Sequence, residues 1–481
     1  AGGLERGGRV ATYMDKSVEN VACLFGAAAA GGVFVPVNPI LKADQVAYIL
    51  RDCNVRVLLT TPERLAAIQP LLGACPDLKR VVVVANEIAS TGDTIEVLAW
   101  NTWVSSGQGS IRHRIIDTDM AAILYTSGST GKPKGVVLSH RNMVAGANSV
   151  AQYLSNSADD RLLAILPLSF DYGLSQLTTA FLTGASVVLH DHVFPADAVR
   201  MLARERITGL AAVPPLWMQL TSLDWPASIG EHLRYFTNSG GAMPTATLAA
   251  IRARVPKALP FLMYGLTEAF RSTYLPPEEI DRRPTSMGKA IPNAEVLVVR
   301  EDGSECAPDE PGELVHRGAL VSLGYWNDAE KTAERFKPAP GRPAGIVTTE
   351  LAVWSGDTVR RDGDGFLYFV GRRDEMIKTS GYRVSPTEIE EVLFASGLVA
   401  EAAAFGVAHP MLGQAIVVVA LPAPGCEPDS AALLAECKRR LPTYMVPSQV
   451  DWMTERLPRN ANGKIDRKSL AIARQSLFGA A

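Results

Sequence analysis

Tyr125-Thr-Ser-Gly-Ser-Thr-Gly-Lys-Pro-Lys-Gly-Val136 decides how this chain is read. Ten of its residues, Thr126 to Gly135, hold three glycines, four hydroxyl side chains and two lysines. An apolar run, Met120-Ala-Ala-Ile-Leu-Tyr125, leads in and Val136-Val-Leu-Ser139 leads out, so the pattern predicts strand, tight polar loop, strand. Glycines let a backbone fold around an anion without side chains in the way, and the freed N–H groups point at it. Hydroxyls add donors, and the lysines add charge. The chemistry suggested is a polyphosphate held by a mobile loop; the alternative is a Ser/Gly surface hairpin. A Walker P-loop is excluded, because that motif needs a glycine five residues before its Gly-Lys pair and position 126 is Thr.

Four further stretches carry chemistry outside this loop. Asn238-Ser-Gly-Gly-Ala-Met-Pro244 follows a predicted strand, and its glycines leave a flat, backbone-lined surface that a planar ring can approach. Tyr264-Gly-Leu-Thr-Glu268 places a hydroxyl beside a carboxylate at a strand's C-terminal end, a fit for phosphate and for Mg²⁺, which takes oxygen ligands. Ser355-Gly-Asp357 and Gly371-Arg372 read alone as hairpin ends. In Leu457-Pro-Arg-Asn-Ala-Asn-Gly-Lys464-Ile-Asp-Arg-Lys468, the Asn-Gly turn sets Lys464 on an exposed tip, where a solvated lysine is the ordinary reading.

Together, in this order, the five stretches resemble the adenylate-forming (AMP-dependent) synthetases: acyl-CoA synthetases, peptide-synthetase adenylation domains and firefly-type luciferases. The resemblance runs from Arg9 to Leu470 and begins a few dozen residues into the family pattern. It implies that Thr126, Ser127, Gly128, Ser129, Thr130, Gly131 and Lys134 hold the phosphates of ATP. It implies that Gly240, Gly241 and Ala242 stack near adenine and border the acyl pocket, with Gly265 beside them, and that Tyr264 packs on the adenine. Thr267 then contacts the α-phosphate, Glu268 coordinates Mg²⁺, Asp357 accepts the ribose hydroxyls and Arg372 donates to the ribose. Lys464 bridges the substrate carboxylate and the α-phosphate. Asp374 is the hinge of a swinging C-terminal domain, and Lys378 and Gly381 fall in the loop lining the thiol's route after that swing. The implied cofactors and co-substrates are ATP, Mg²⁺ and CoA.

This assignment has a physical logic. A carboxylate must attack the α-phosphate of ATP, anion upon anion, so cations and loop amides must neutralise the charge that builds up. A thiol attacks the acyl-adenylate in a second step, and rotation about Asp374 would withdraw Lys464 and admit it.

The choice of acid falls to Leu166-Pro-Leu-Ser-Phe170-Asp171-Tyr172-Gly173. Phe170, Asp171, Val213, Asn238, Gly240 and Gly265 are the expected substrate pocket; Pro214, Trp217 and Phe270 are equally good as pocket walls or as core. An unpaired buried carboxylate is costly, so Asp171 implies a cationic partner. In peptide-synthetase adenylation domains a similar Phe-Asp pair holds the amino group of an amino acid. The other reading is that Asp171 caps a helix starting near Tyr172. Ser169-Phe-Asp-Tyr-Gly173 also resembles free-standing acyl-CoA synthetases of bacterial polysaccharide-export (exosortase-associated) gene neighbourhoods.

Three functions therefore stand. The leading one is an acyl-CoA synthetase. The second is a free-standing amino-acid adenylation enzyme that loads the phosphopantetheine arm of a carrier protein, acting in trans because 17 residues follow Lys464. The third is a non-catalytic nucleotide-binding relative, against which intact Glu268 and Lys464 argue.

Bulk properties agree with an enzyme of this size. The 481 residues suggest two or three domains, and 47% hydrophobic with 20% charged residues fit a soluble globular protein. A net charge of −3 offers no electrostatic case for nucleic acid or an anionic membrane. Six scattered cysteines without C-x-x-C suit a reducing cytoplasm. Seven histidines leave little for a metal site, and the pair His190 and His192 lies outside every motif.

Alternating strand and helix patterns predict an α/β fold. Strands are expected at 9–14, 33–37 and 55–60, and helices at 17–30 and 44–52. Residues 90–110 read as an irregular connection, and His140 as a hydrogen-bonding residue at a helix entrance. From Glu295 the texture turns to hairpins, one of them at Asp302-Gly303. The expected organisation is a large N-terminal domain, 1–373, of layered α/β subdomains with a β-rich subdomain at 293–373. A small mobile α+β domain, 374–481, opens with Ser385-Pro-Thr-Glu388 as N-cap, first-turn proline and capping-box glutamate.

Overall fold

The computed structural model describes residues 4–85, 95–107, 113–126, 133–191, 194–341, 343, 345–372, 375–379, 382–460 and 463–479. Four sheets organise them. The first has seven strands in the order Glu96–Ala99, Arg80–Val83, Val55–Thr60, Arg9–Tyr13, Val33–Pro36, Met120–Thr126 and Lys134–Ser139. Every neighbouring pair is parallel except the last, the antiparallel hairpin that carries the polar loop. Apolar runs such as Val33-Phe-Val-Pro36 are buried on both faces, as parallel strands covered by helices must be.

The second sheet runs Lys289–Ala290, Thr273–Leu275, Leu259–Tyr264, Tyr235–Asn238, Gly209–Ala212, Arg161–Ala164 and Ser186–Leu189. Its five strands from Leu259–Tyr264 to Ser186–Leu189 are parallel, so Tyr235–Asn238 and Leu259–Tyr264 end at the same edge. That edge is where ligands bind in open α/β sheets. The helices His140–Leu154 and Asp171–Thr183 lie between the two sheets, and Met143, Leu174, Leu177 and Phe270 share one core with Leu124 and Leu138.

The third sheet is wholly antiparallel: Ala294–Val299, Gly312–Gly318, Leu351–Arg361 and Phe336–Pro338, with Leu367–Arg372 pairing the later residues, 357–361, of the long strand Leu351–Arg361. The fourth belongs to the small C-terminal domain: Tyr382–Val384, Ile377–Thr379, Gly413–Pro422 and Val399–His409, plus Gln449–Trp452. Its core gathers Ile389, Leu393, Val418 and Leu433. No described helix is long and apolar enough to cross a membrane.

Three local expectations need correction. The described part of 90–110 is ordered, as strand Glu96–Ala99 at the edge of the first sheet and helix Trp100–Ser105. His140 does not cap its helix; Ser139 and Asn142 do so reciprocally, while His140 Nε2 is buried without a partner among the described residues. The Ser385–Glu388 capping box does not form: the helix Pro386–Ala395 starts as expected, but Ser385 Oγ is buried near Gly371 and has no hydrogen-bond partner among the described residues. Burial of Glu388 instead pushes its carboxyl up.

Candidate active site

Strand ends from three sheets, and one loop of the fourth unit, meet in a single cleft. Asn238 closes its strand and donates from Nδ2 to the Gly241 carbonyl at 3.0 Å, pinning the 238–241 turn, while its Oδ1 is a buried acceptor without a partner among the described residues. Gly240 has φ +80°, a left-handed turn that glycine adopts without cost. A Cβ built there would stand 3.4 Å from Val213 Cγ1, 3.5 Å from Lys464 Cε and 3.6 Å from Phe170 Cζ. Four residues expected at the reaction centre are thus in mutual reach.

Lys464 arrives on a tight loop. Its N–H donates to Asn460 Oδ1 at 3.1 Å, and its carbonyl accepts from the Asn460 N–H at 2.8 Å. Arg459 donates to the Gly463 carbonyl and pairs with Glu401 at 2.7 Å, while Arg467 pairs with Glu390 at 2.6 Å. The tip is therefore braced and turned into the cleft rather than into solvent. Desolvation, reinforced by Arg372, pulls the lysine below its usual 10.5, against the opposing pull of the Asp171 and Asp357 carboxylates.

Asp357 is paired in register with Arg372 across the third sheet, and Arg372 Nε lies 3.2 Å from Asp357 Oδ1. The Tyr264 hydroxyl donates to Oδ2, and the Asp357 N–H donates to Ser355 Oγ at 3.1 Å. Among the described residues Oδ1 is a buried acceptor without an aligned donor. Burial raises this carboxyl above its ordinary value, partly offset by Arg372 and Tyr264. The Tyr264 ring is stacked against His316 with centroids 6.0 Å apart, so one of its faces is covered. Burial holds His316 neutral, down to about 3.

Thr267 and Glu268 lie on the short 3-10 turn Thr267–Ala269 after strand Leu259–Tyr264. Glu268 Oε1 accepts from the Tyr325 hydroxyl at 2.6 Å, and the Lys134 ammonium sits 5.1 Å over the Tyr325 ring. Desolvation and the neighbouring Lys331 and Arg335 lower the pKa of Lys134. This concentration of positive charge around one carboxylate suits a polyphosphate. No cluster of three or more metal-ligating side chains occurs among the described residues. A carboxylate together with substrate phosphates is nonetheless a common oxygen ligand set for Mg²⁺, so Glu268 fits that ion. Thr126 pairs with Lys134 at the mouth of the hairpin; Ser127, Gly128, Ser129, Thr130 and Gly131 lie outside the described residues.

The acid side departs most from expectation. Asp171 is the first residue of its helix, with Phe170 as N-cap, so it does not act as the cap. Its cationic partner is within the chain: Arg271 Nη1 lies 3.7 Å from Asp171 Oδ2, both side chains being at most 5% exposed. Trp217 and Phe270 belong to the core, both fully buried, whereas Pro214 stands against Gly241. Gly265 is flat on the backbone of Arg271 and Ser272, and Ala242 follows Gly241 on the exposed rim. Lys378 lies on the strand Ile377–Thr379 rather than in a loop, exposed, its N–H donating to Gln414 Oε1 at 2.7 Å. Asp374, Gly381 and His192 lie outside the described residues.

Sequence reasoning missed Tyr325, Arg335 and Arg271. Tyr325 and Arg335 come from the third sheet's connections and carry no spacing signal. Arg271 was implied by Asp171, which required a cation, but its position was not.

Comparison with known proteins agrees over the full length. The model of the AMP-binding enzyme family matches residues 1–326, and that of the AMP-binding enzyme C-terminal domain matches residues 388–464. Indoleacetate–CoA ligase of Aromatoleum aromaticum is 32% identical, over 99% of this chain and 91% of its own. L-proline–[L-prolyl-carrier protein] ligase of Pseudomonas fluorescens is also 32% identical, over 98% of this chain and 90% of its own. Among solved structures, ATP-bound MatB from Rhodopseudomonas palustris superposes with a TM-score of 0.85 at 26% identity, covering 99% of this chain and 90% of that one. The apo form of the same protein gives 0.73 over the same coverage, so the present arrangement is nearer the ATP-bound form.

Proposed function

We propose that this chain, which belongs to the AMP-binding enzyme family, is an acid–thiol ligase that activates a carboxylic acid with ATP and passes the acyl group to CoA. The convergence of Lys464, Gly240, Phe170 and Val213 at one point carries this reading. There the ammonium would lie between a substrate carboxylate and the α-phosphate. A carboxylate oxygen attacks the α-phosphorus, the bond to the β-phosphate oxygen breaks, and pyrophosphate leaves an acyl-adenylate. Lys464 and Lys134 neutralise the charge that grows in this step, and the Thr267 hydroxyl donates a hydrogen bond to it. Mg²⁺, held by Glu268, would screen the phosphates. Asp357 Oδ1 and Arg372 would take the ribose hydroxyls, and the uncovered face of Tyr264, with Gly240, Gly241 and Ala242, the adenine. The loop 126–131 would wrap the β- and γ-phosphates.

In the second step the thiol sulfur attacks the acyl carbon, loses its proton and expels AMP. We take Asp374 as the pivot between the two steps, and Lys378 on the strand Ile377–Thr379, together with Gly381, as lining the thiol's route. Ser169-Phe-Asp-Tyr-Gly173, like that of synthetases from polysaccharide-export neighbourhoods, supports CoA as acceptor. Free cysteines at all six positions suit a reducing cytoplasm.

The Asp171–Arg271 pair supports acids without an amine over amino acids, since Asp171 already has a cation. Carrier loading is the second reading, favoured by the prolyl-carrier relative. ATP–pyrophosphate exchange across fatty, aromatic and amino acids, followed by CoA, decides between them. Exchange with simple acids and thioester formation is the expected result. Exchange confined to amino acids, with no CoA thioester, would transfer the chain to carrier loading.

A further inference from the structure

We propose that Arg271 sets the charge selectivity of the acid site: by compensating Asp171, it confines the site to acids that carry no ammonium group. This deepens the reading above and rests on it. Three contacts of different kinds fix the guanidinium on the 171–172 segment. Nη1 lies 3.7 Å from Asp171 Oδ2, Nη2 donates to the Asp171 carbonyl at 3.3 Å, and the guanidinium lies 4.8 Å over the Tyr172 ring. Phe270, just before it, adopts φ +46° and buries its ring in the notch left by Gly146, which directs the chain inward at Arg271.

The pair stands beside the reaction centre. Phe170, adjacent to Asp171, reaches the same point as Lys464, and Asp171 is one of the carboxylates acting on that lysine. Asp171 thus faces two cations. Arg271 already balances Asp171. The ammonium of an α-amino acid would add a further cation beside a carboxylate that is already paired, with little water to screen it, whereas a simple carboxylic acid brings none.

Neutralising either partner should therefore invert the preference in a stated direction. Arg271→Leu frees Asp171 for an ammonium. Asp171→Leu leaves Arg271 seeking a second carboxylate. The test is kcat/KM in ATP–pyrophosphate exchange for phenylalanine against 3-phenylpropionate, and for glutarate against pentanoate. Wild type, both single variants and the double variant are compared, with folding followed by circular dichroism.

We expect R271L to raise the phenylalanine ratio about tenfold or more, and D171L to raise the glutarate ratio about tenfold or more. In the double variant both ratios should stay within about threefold of wild type, because the pocket is again balanced. Folded single variants with wild-type ratios overturn the proposal. So does a double variant that accepts phenylalanine as R271L does, since Asp171 would not then be the anchor. Loss of folding in both single variants, with the double variant folded, shows the pair to be structural only and also overturns it. A wild type silent with every acid overturns the adenylation reading itself, which separates that failure from this one.

Discussion

The hydroxyl of Tyr264, at the end of a strand in the second sheet, donates to the buried carboxylate of Asp357 in the third. This one bond ties the expected adenine platform to the expected ribose acceptor. Asp357 has a folded pKa above its ordinary value, through burial first, so its ionised form is the costly one. Its contribution to stability is full below about pH 3.9 and lost as pH rises through the raised folded value. Ribose hydroxyls donate to the ionised form and would help to restore it. ATP affinity, measured by calorimetry, should therefore strengthen as pH rises through that acid range. Asp357→Asn should remove this dependence, and Tyr264→Phe should shift it to higher pH.

Lys464 makes the opposite prediction at the alkaline end. Its pKa is depressed below 10.5, so the ammonium is lost earlier than a solvated lysine would lose it. Pyrophosphate exchange should fall as pH rises toward 10.5, and Lys464→Ala should remove that limb and slow exchange by about 10²- to 10³-fold. Thioester formation from preformed acyl-adenylate should change far less. Equal losses in both half-reactions would remove Lys464 from the first step.

Tyr325 holds Glu268 by a 2.6 Å hydrogen bond. Releasing that carboxylate should loosen any divalent ion it binds. Tyr325→Phe is expected to raise the Mg²⁺ concentration for half-maximal exchange by about tenfold, with maximal rate at saturating Mg²⁺ changed less.

Gly173 has no room for a methyl group: a Cβ there would overlap the Pro167 carbonyl oxygen. Gly173 lies in the first turn of the helix Asp171–Thr183, just after the proposed acid-selecting residues Phe170 and Asp171, so Gly173→Ala should destabilise the fold by about 1–3 kcal/mol. It should also raise KM for the acid more than KM for ATP.

Asp160, 4% exposed, accepts from Arg234, Thr208, Asn156 and the Ser157 N–H, which together overcome burial and hold its carboxyl below 3.8. Its stabilisation is present above the unfolded value and lost as pH falls through the lowered one. Asp160→Ala should cost about 2–4 kcal/mol in urea unfolding, the lower end because Arg234 is partly hydrated. This loss should shrink toward zero in acid.

Strand periodicity predicted the first and second sheets, because parallel strands buried on both faces are nearly continuous apolar runs. Asp357 and Lys464 could be singled out as candidates because each sits in a short string that marks it, and the structure brings both to the cleft. Arg271 and Tyr325 could not, because each works through a partner far along the chain: 100 residues separate Arg271 from Asp171, and 57 separate Tyr325 from Glu268. The Ser385 capping box failed for a related reason. Packing against Gly371 decided that side chain, and local spacing does not report it.

The loop of Lys464 is riveted to its own domain at both shoulders, by Arg459 to Glu401 and by Arg467 to Glu390. The backbone that carries Lys464 is thereby fixed to the C-terminal domain. If that domain swings as proposed, opening the cleft and withdrawing the positive charge would be one event, and water entering the open cleft would meet a site already without its cation.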